Sequence, residues 1–229
     1  GSSANLLTLA ALRWSQGPGE IIVPPLTWVS DIAAVLQNGF EPVFVDIDPS
    51  TATIDPAAVS AAITARTKAI IPVDIFGHPA DMPAIMAIAA RHGLGVIEDA
   101  AQSFGASDRG APVGTVGDIV TFSFFPTKNF PGIGDGGMVV ARDGELADRV
   151  RRLRFHGSKD KVTFEEVGYN SRLDELQATV ARVFLPHLDR WEGSDRPRHR
   201  TPLIVPIQDT ARCRRRALDS RHELLRSRP

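Results

Sequence analysis

With 229 residues, 43% hydrophobic and 23% charged, the chain carries enough apolar material for one domain core, alone or with an appendage. No run approaches the roughly 18 apolar residues that a membrane span requires. The formal net charge of −1 is unevenly spread: residues 192–229 hold ten Arg, no Lys and five acids, without the repeated spacing or aromatic interleaving of a nucleic-acid-binding tail.

The opening GSSANLLTLAALRW is apolar but has neither a cationic leader nor a cleavage signature, so it does not read as a signal peptide. The lone cysteine, Cys213, excludes an internal disulfide and fits a reducing cytoplasm. Residues 1–5 precede a helix-like run at 6–12. Small hydroxyl residues before a helix leave backbone N–H groups at the positive end of its dipole, a setting for a phosphate. Simple capping by Ser2 or Ser3 is the other reading. A turn at 17–19 leads to a short strand at 21–24, after which Trp28 is either a core aromatic or an open platform. Helical spacing at 31–37, a β-branched strand at 42–46, a helix at 56–63 and a strand at 68–73 follow, then an amphipathic helix at 82–92 with its apolar side toward a sheet. The run 95–101, GVIEDAA, is a short apolar segment ending in adjacent acids. It reads as a buried parallel strand that carries Asp99 at its carboxyl end, the edge where open α/β sheets place ligands. N-capping of the next segment is the competing use of Asp99. The alternation predicts a layered α/β domain with helices on both faces.

Residues 119–140, IVTFSFFPTKNFPGIGDGGMVV, set two β-rich runs around a loop that holds Lys128 among apolar neighbours. A desolvated Lys shifts to lower pKa and can attack a carbonyl, so this is a way to present a nucleophile. The glycines at 132, 134, 136 and 137 do not stand between a strand and a helix, as a dinucleotide fingerprint must. They read as backbone room for the lysine loop. A strand-end carboxylate paired with a loop lysine is what pyridoxal phosphate needs: an amine for the Schiff base and an acid that keeps the pyridine nitrogen protonated. A cationic helix at 146–153 closes at Gly157. Residues 168–170, with Asn170 as a turn former, open a segment that runs to 185 and ends in an amphipathic helix.

The ordered motifs GSSAN, PPLTWVS, PVFVDID, TKAIIPVDIFGHPADM, VIEDAAQSFGA, GDIVTFSFFPTKN, GDGGMVV, LRFHG and GYNSRLDELQA resemble the DegT/DnrJ/EryC1/StrS family of pyridoxal-phosphate (PLP) sugar aminotransferases. The resemblance runs from residue 1 to about residue 191. It implies the large domain of a fold-type I PLP-dependent transferase, a mostly parallel sheet between helices, with the small C-terminal domain missing and the chain starting inside a binding motif. Residues 192–229 show none of the family pattern and are expected to be disordered or outside it.

Site roles follow from the same resemblance. Lys128 forms the internal aldimine, Asp99 holds the ring nitrogen, and Trp28 stacks on the ring. Gln102 meets the phenolic oxygen. Ser2, Ser3 and Ser123 hold the phosphate, and Asn170 reaches the phosphate of a neighbouring subunit, which implies a homodimer with shared sites. Glu or Gln is the implied amino donor, and a keto group of a nucleotide-linked sugar or a cyclitol the acceptor. Asp74 stands where many relatives have His and is expected to alter substrate contacts. Relatives with His in place of the lysine are dehydratases, which Lys128 disfavours. A catalytically inactive remnant that only binds PLP is the alternative.

Overall fold

The computed structural model describes residues 1–188 and 190, so the expectation for 192–229 lies outside the described residues. Six strands form the main sheet. β1 (Glu20–Val23), β2 (Glu41–Phe44), β3 (Thr67–Ile70) and β4 (Gly95–Asp99) are parallel neighbours in the order β2-β1-β3-β4. A small antiparallel ribbon, β5 (Ser107–Asp108) with β6 (Ala111–Pro112), precedes β7 (Ile119–Ser123), which joins β4 in parallel. β8 (Gly137–Ala141) closes the far edge antiparallel to β7, with Ser123 opposite Gly137.

Inner strands are apolar on both faces because helices cover both sides, the pattern of a buried parallel sheet. Ile21, Val23, Ala69, Ile71 and Ile97 pack with Leu9 and Leu12 of α1 (Ser2–Gln16) and with Ala34 and Val35 of α2 (Val29–Gln37). The intervening Ile22, Ile70 and Val96 pack on the opposite side with Val59 of α3 (Pro56–Ala62) and Met82, Ile85 and Ile88 of α4 (Met82–His92). This strict alternation fixes register, since a one-residue slip would exchange the two faces. Each fully buried Ile or Val contributes about 1.5–3 kcal/mol by removal from water.

Local chemistry sets the helix ends. Asp55 accepts from the Ala57 N–H ahead of Pro56, and Asp81 accepts from the Ala84 N–H. Gly93 ends α4 in the left-handed region, with φ 64°. α5 (Gly144–Leu153) packs Val150 and Leu153 against Leu7 and Ala11 of α1.

Two boundaries differ from expectation. The first helix begins at Ser2 rather than near residue 6, with Gly1 at its N-cap. β3 ends at Ile70 rather than at residue 73, because Pro72 has no N–H to give the ladder; Val73 reaches Asp99 only through an isolated bridge. Among the described residues no helix is long and apolar enough to cross a membrane.

Candidate active site

At the carboxyl edge of the sheet the start of α1, the end of β4 and the loop between β7 and β8 converge on a cavity of about 950 Å3. Ser2, Ser3, Trp28, Asp99, Gln102, Ser123, Lys128 and Asn170 all line it. No two of the segments that supply them are brought together by local sequence alone.

The first helical hydrogen bond runs from the Asn5 N–H to the Gly1 carbonyl, which leaves the N–H groups of Ser2, Ser3 and Ala4 outside the helical ladder. Gly1 makes no side-chain cap, and neither serine supplies one, so the capping reading of Ser2 and Ser3 does not hold. Helix and strand are closely apposed here. A Cβ on Gly1 would lie 3.2 Å from the Ser123 Cβ and 3.4 Å from its Oγ. Three serines and a helix N-terminus thus border one end of the cavity, an arrangement suited to a dianion.

The lysine loop is anchored by aromatics on either side of Lys128. Phe124 and Phe130 are buried, edge-on to one another at 5.4 Å, and Phe130 stacks on Phe104 at 4.7 Å. Between them Lys128 closes a turn through its N–H to the Phe125 carbonyl at 2.9 Å, and Asn129 donates to the Phe104 carbonyl. The glycines make room for α6 (Glu175–Phe184): Gln177 Oε1 accepts from the Ile133 N–H at 3.0 Å, and a Cβ on Gly132 or Gly134 would come within 2.7 or 2.6 Å of the Gln177 side chain. Lys128 is half-buried on the cavity wall; Phe124 and Phe130 pack into a cluster with Phe104 and Phe122, while Phe125 is exposed and lines the cavity.

Asp99 is buried at the end of β4 and lines the cavity. Its Oδ1 accepts from the Ala101 N–H at 2.9 Å, a local turn, while its Oδ2 accepts from Asn5 Nδ2 at 3.1 Å. Asn5 Nδ2 also donates to Asp31 Oδ1 at 2.5 Å, and the Thr27 hydroxyl donates to Asp31 Oδ2. Burial, and then the Asp99 charge, raise the Asp31 carboxyl well above the usual carboxylate range. Sequence reading missed Asn5, Asp31 and Thr27. The available signal was Asp31 at the i position of an i, i+3, i+4 set whose other members, Ala34 and Val35, are buried in the core.

Trp28 is 69% exposed at the N-cap of α2, so it is not a core residue. Gln102 accepts from the Phe76 N–H at 2.8 Å and so holds Phe76 at φ 56°, in the left-handed region. Asn170 bridges to Phe155, accepts from Arg172 Nε at 3.1 Å and lines the cavity of its own chain.

Asp74, expected to alter substrate contacts, does not itself line the cavity. It is fully buried behind the cavity wall, accepting from the Ala80 N–H at 3.0 Å and from Ser103 Oγ at 2.9 Å. Burial, opposed by the Ala80 N–H and reinforced by the neighbouring Glu98 charge, pushes its carboxyl up to about 7. Glu98, also buried, accepts from the N–H groups of Gly114 and Gly117 at 3.3 and 3.2 Å. Because the folded pKa lies above the unfolded one, Asp74 contributes stability that is complete below about pH 4 and lost as pH rises toward 7. The slope is at most about 1.4 kcal/mol per pH unit for one proton. Urea unfolding between pH 4.5 and pH 7.5 is therefore expected to show a smaller fall in stability for Asp74→Asn than for the parent, and an equal fall in both contradicts the assignment.

Comparison with known proteins places this geometry. The model of the DegT/DnrJ/EryC1/StrS aminotransferase family matches residues 1–204. The chain is 52% identical over 197 residues to the UDP-N-acetyl-3-dehydro-α-D-glucosamine 3-aminotransferase of Acidithiobacillus ferrooxidans, covering 86% of this chain and 53% of the relative. It is 48% identical over 193 residues to the dTDP-3-amino-3,4,6-trideoxy-α-D-glucose transaminase of Streptomyces venezuelae, covering 84% of this chain and 51% of the relative. Among solved structures, S. venezuelae DesV in complex with a ketimine intermediate superposes with a TM-score of 0.78 at 46% identity, over 83% of this chain and 52% of that one. NtdA from Bacillus subtilis, solved with the cofactor PMP bound, gives a TM-score of 0.73 at 37% identity, over 83% and 42%. The chain spans about half the length of the curated relatives it matches. It belongs to the DegT/DnrJ/EryC1/StrS aminotransferase family.

Proposed function

We propose that the cavity binds pyridoxal 5′-phosphate and that the protein transfers an amino group from Glu or Gln to a keto group of a nucleotide-linked sugar or a cyclitol. The observation that carries this is the convergence of eight residues from separate segments on one cavity. They fit the cofactor part by part. The N–H groups outside the helical ladder at the start of α1, with Ser2, Ser3 and Ser123, suit its phosphate; the exposed Trp28 offers a stacking face; Asp99 and Gln102 suit the ring nitrogen and the phenolic oxygen; and Lys128 supplies the amine. When bound, the group supplies an electron sink for the substrate carbon that loses its proton.

The protein residues then have separate tasks. Lys128 would be the amine that holds the group and, when free, would take the proton from the donor α-carbon and give it back on the cofactor side. Asp99 would hold the proton on the ring nitrogen from a position already fixed by Ala101 and Asn5. Asn170 stands on its own chain's cavity wall. On this reading two copies meet at that side, the residue serves the phosphate across the interface, and the working unit is a homodimer.

The names of the relatives support a nucleotide-linked sugar as acceptor. A second reading is a polypeptide that binds the cofactor without turning it over. Adding Glu or Gln to the PLP-loaded protein separates the two. Donor-dependent loss of the visible band, with release of the keto acid, supports transamination, and a panel of keto-sugar nucleotides then identifies the acceptor. A visible band that no donor changes supports the binding-only reading.

A further inference from the structure

We propose that Asn5 and Asp31 form a buried strut whose task is to position Asp99, and that Asp31 works in it as a hydrogen-bonding post rather than as a charge. The inference rests on the assignment of Asp99 to the ring nitrogen. Its basis is the connectivity of three elements. Asn5 lies in the first turns of α1, Asp31 in the first turn of α2, and Asp99 at the end of β4. The Asn5 amide donates to Asp31 Oδ1 at 2.5 Å and to Asp99 Oδ2 at 3.1 Å, so one NH2 group ties both carboxyls together. Thr27 fixes Asp31 from the other side through its hydroxyl. All three of Asn5, Asp31 and Asp99 are buried, and Asn5 Oδ1 has no partner among the described residues. An asparagine serving only the fold would be placed to satisfy its carbonyl, since a buried unpaired acceptor costs free energy. Here both donors are committed to carboxyls and the acceptor is left over.

Two buried carboxyls share the Asn5 amide, and among the described residues no Lys or Arg forms an ion pair with either. Charges so close in low dielectric do not both ionise readily. Asp99 is the one that borders the cavity, where the ring nitrogen would lie, while Asp31 is enclosed between Asn5 and Thr27 and is the carboxyl that keeps the proton. The direction in which burial and Asp99 shift Asp31 agrees. A neutral Asp31 is replaceable by its neutral isostere. In Asp31→Asn the side-chain carbonyl would still accept from Asn5, and the new amide would donate to Thr27, whose hydroxyl can accept as well as donate.

The test uses PLP-loaded wild-type, Asp31→Asn, Asp31→Ala and Asn5→Ala proteins. The readouts are the PLP dissociation constant and the visible circular dichroism of the bound cofactor, which reports how firmly its ring is held. Asp31→Ala and Asn5→Ala are expected to weaken retention roughly tenfold and to reduce the dichroic band, while Asp31→Asn stays within about twofold of wild type. If Asp31→Asn loses as much as Asp31→Ala, charge rather than positioning matters and the proposal is overturned. It is also overturned if neither alanine variant changes retention or dichroism. Should Asp31→Ala fail to fold, Asn5→Ala, which removes the strut from its other end, decides alone. If wild type itself does not bind PLP, the ring-nitrogen assignment of Asp99 fails first and the strut fails with it. Altered variants on a competent wild type isolate the strut.

Discussion

Lys128→Ala is expected to abolish borohydride-stable attachment of PLP and to lower transamination by at least about 10⁴-fold, because it removes two contributions at once. Positioned general acid–base groups supply about 10²–10⁴ in rate, and the covalent link that makes donor exchange an amine-for-amine substitution is lost as well. The fold gives reason to expect a specific rather than a global effect. Lys128 contributes its backbone N–H to the turn, which Ala retains, and the loop is held by Phe124, Phe130, Asn129 and Gln177, none of which needs the amine. PLP should therefore still associate through the serine end and Trp28, but without covalent capture. Added methylamine, small enough to enter a cavity of this size, is expected to restore part of the proton transfer. Peptide mapping after borohydride treatment of the parent checks the assignment directly, and a label on any other lysine contradicts it.

How much of this was legible beforehand depends on what each residue's role requires. Strand-end Asp99 and loop Lys128 were readable because their settings leave sequence marks: an apolar run ending in acids, and an isolated amine between phenylalanines and glycines. The serine end of the cavity was readable only in part. Small hydroxyl residues ahead of an apolar run announce a helix start, but capping and anion binding use the same residues, and the structure adds only that neither serine caps. The surroundings of Lys128 were legible only in part, because apolar neighbours in sequence need not be neighbours in space: Phe104, distant along the chain, packs with Phe124 and Phe130. The setting of Asp74 was illegible for a related reason. A substitution at a family position suggests altered chemistry, yet its surroundings, Ala80, Ser103 and Glu98, are assembled only by tertiary packing. Asn5 and Asp31 were silent for the same cause: each is an ordinary polar residue in its own helix, and they gain meaning only where α1 and α2 meet.

Asp99→Ala should cut transamination by about 10²–10⁴-fold while leaving covalent capture by Lys128 in place. The magnitude follows from removing the carboxylate that, on the proposed reading, would pair with the ring nitrogen: losing one member of a buried charge pair costs about 3–5 kcal/mol, at about 1.36 kcal/mol per tenfold in rate. The two substitutions thus have opposite signatures, loss of attachment for Lys128 and attachment without turnover for Asp99. The sequence around Asp99 also predicts a hierarchy among its variants. Asp99→Asn keeps an acceptor for the Ala101 N–H, so the turn after β4 survives, but it cannot hold a proton on the ring nitrogen; it should fold like the parent and turn over like Asp99→Ala. Asp99→Glu keeps the charge yet lengthens the side chain by a methylene in a space bounded by the Asn5 amide, which lies at 3.1 Å. It should recover part of the rate that Asp99→Asn does not. Single-turnover kinetics with Glu as donor would order the three. A ranking of Asp99→Asn above Asp99→Glu would mean that hydrogen-bond geometry rather than charge at the end of β4 governs the reaction, and the carboxylate would then lose its assigned role.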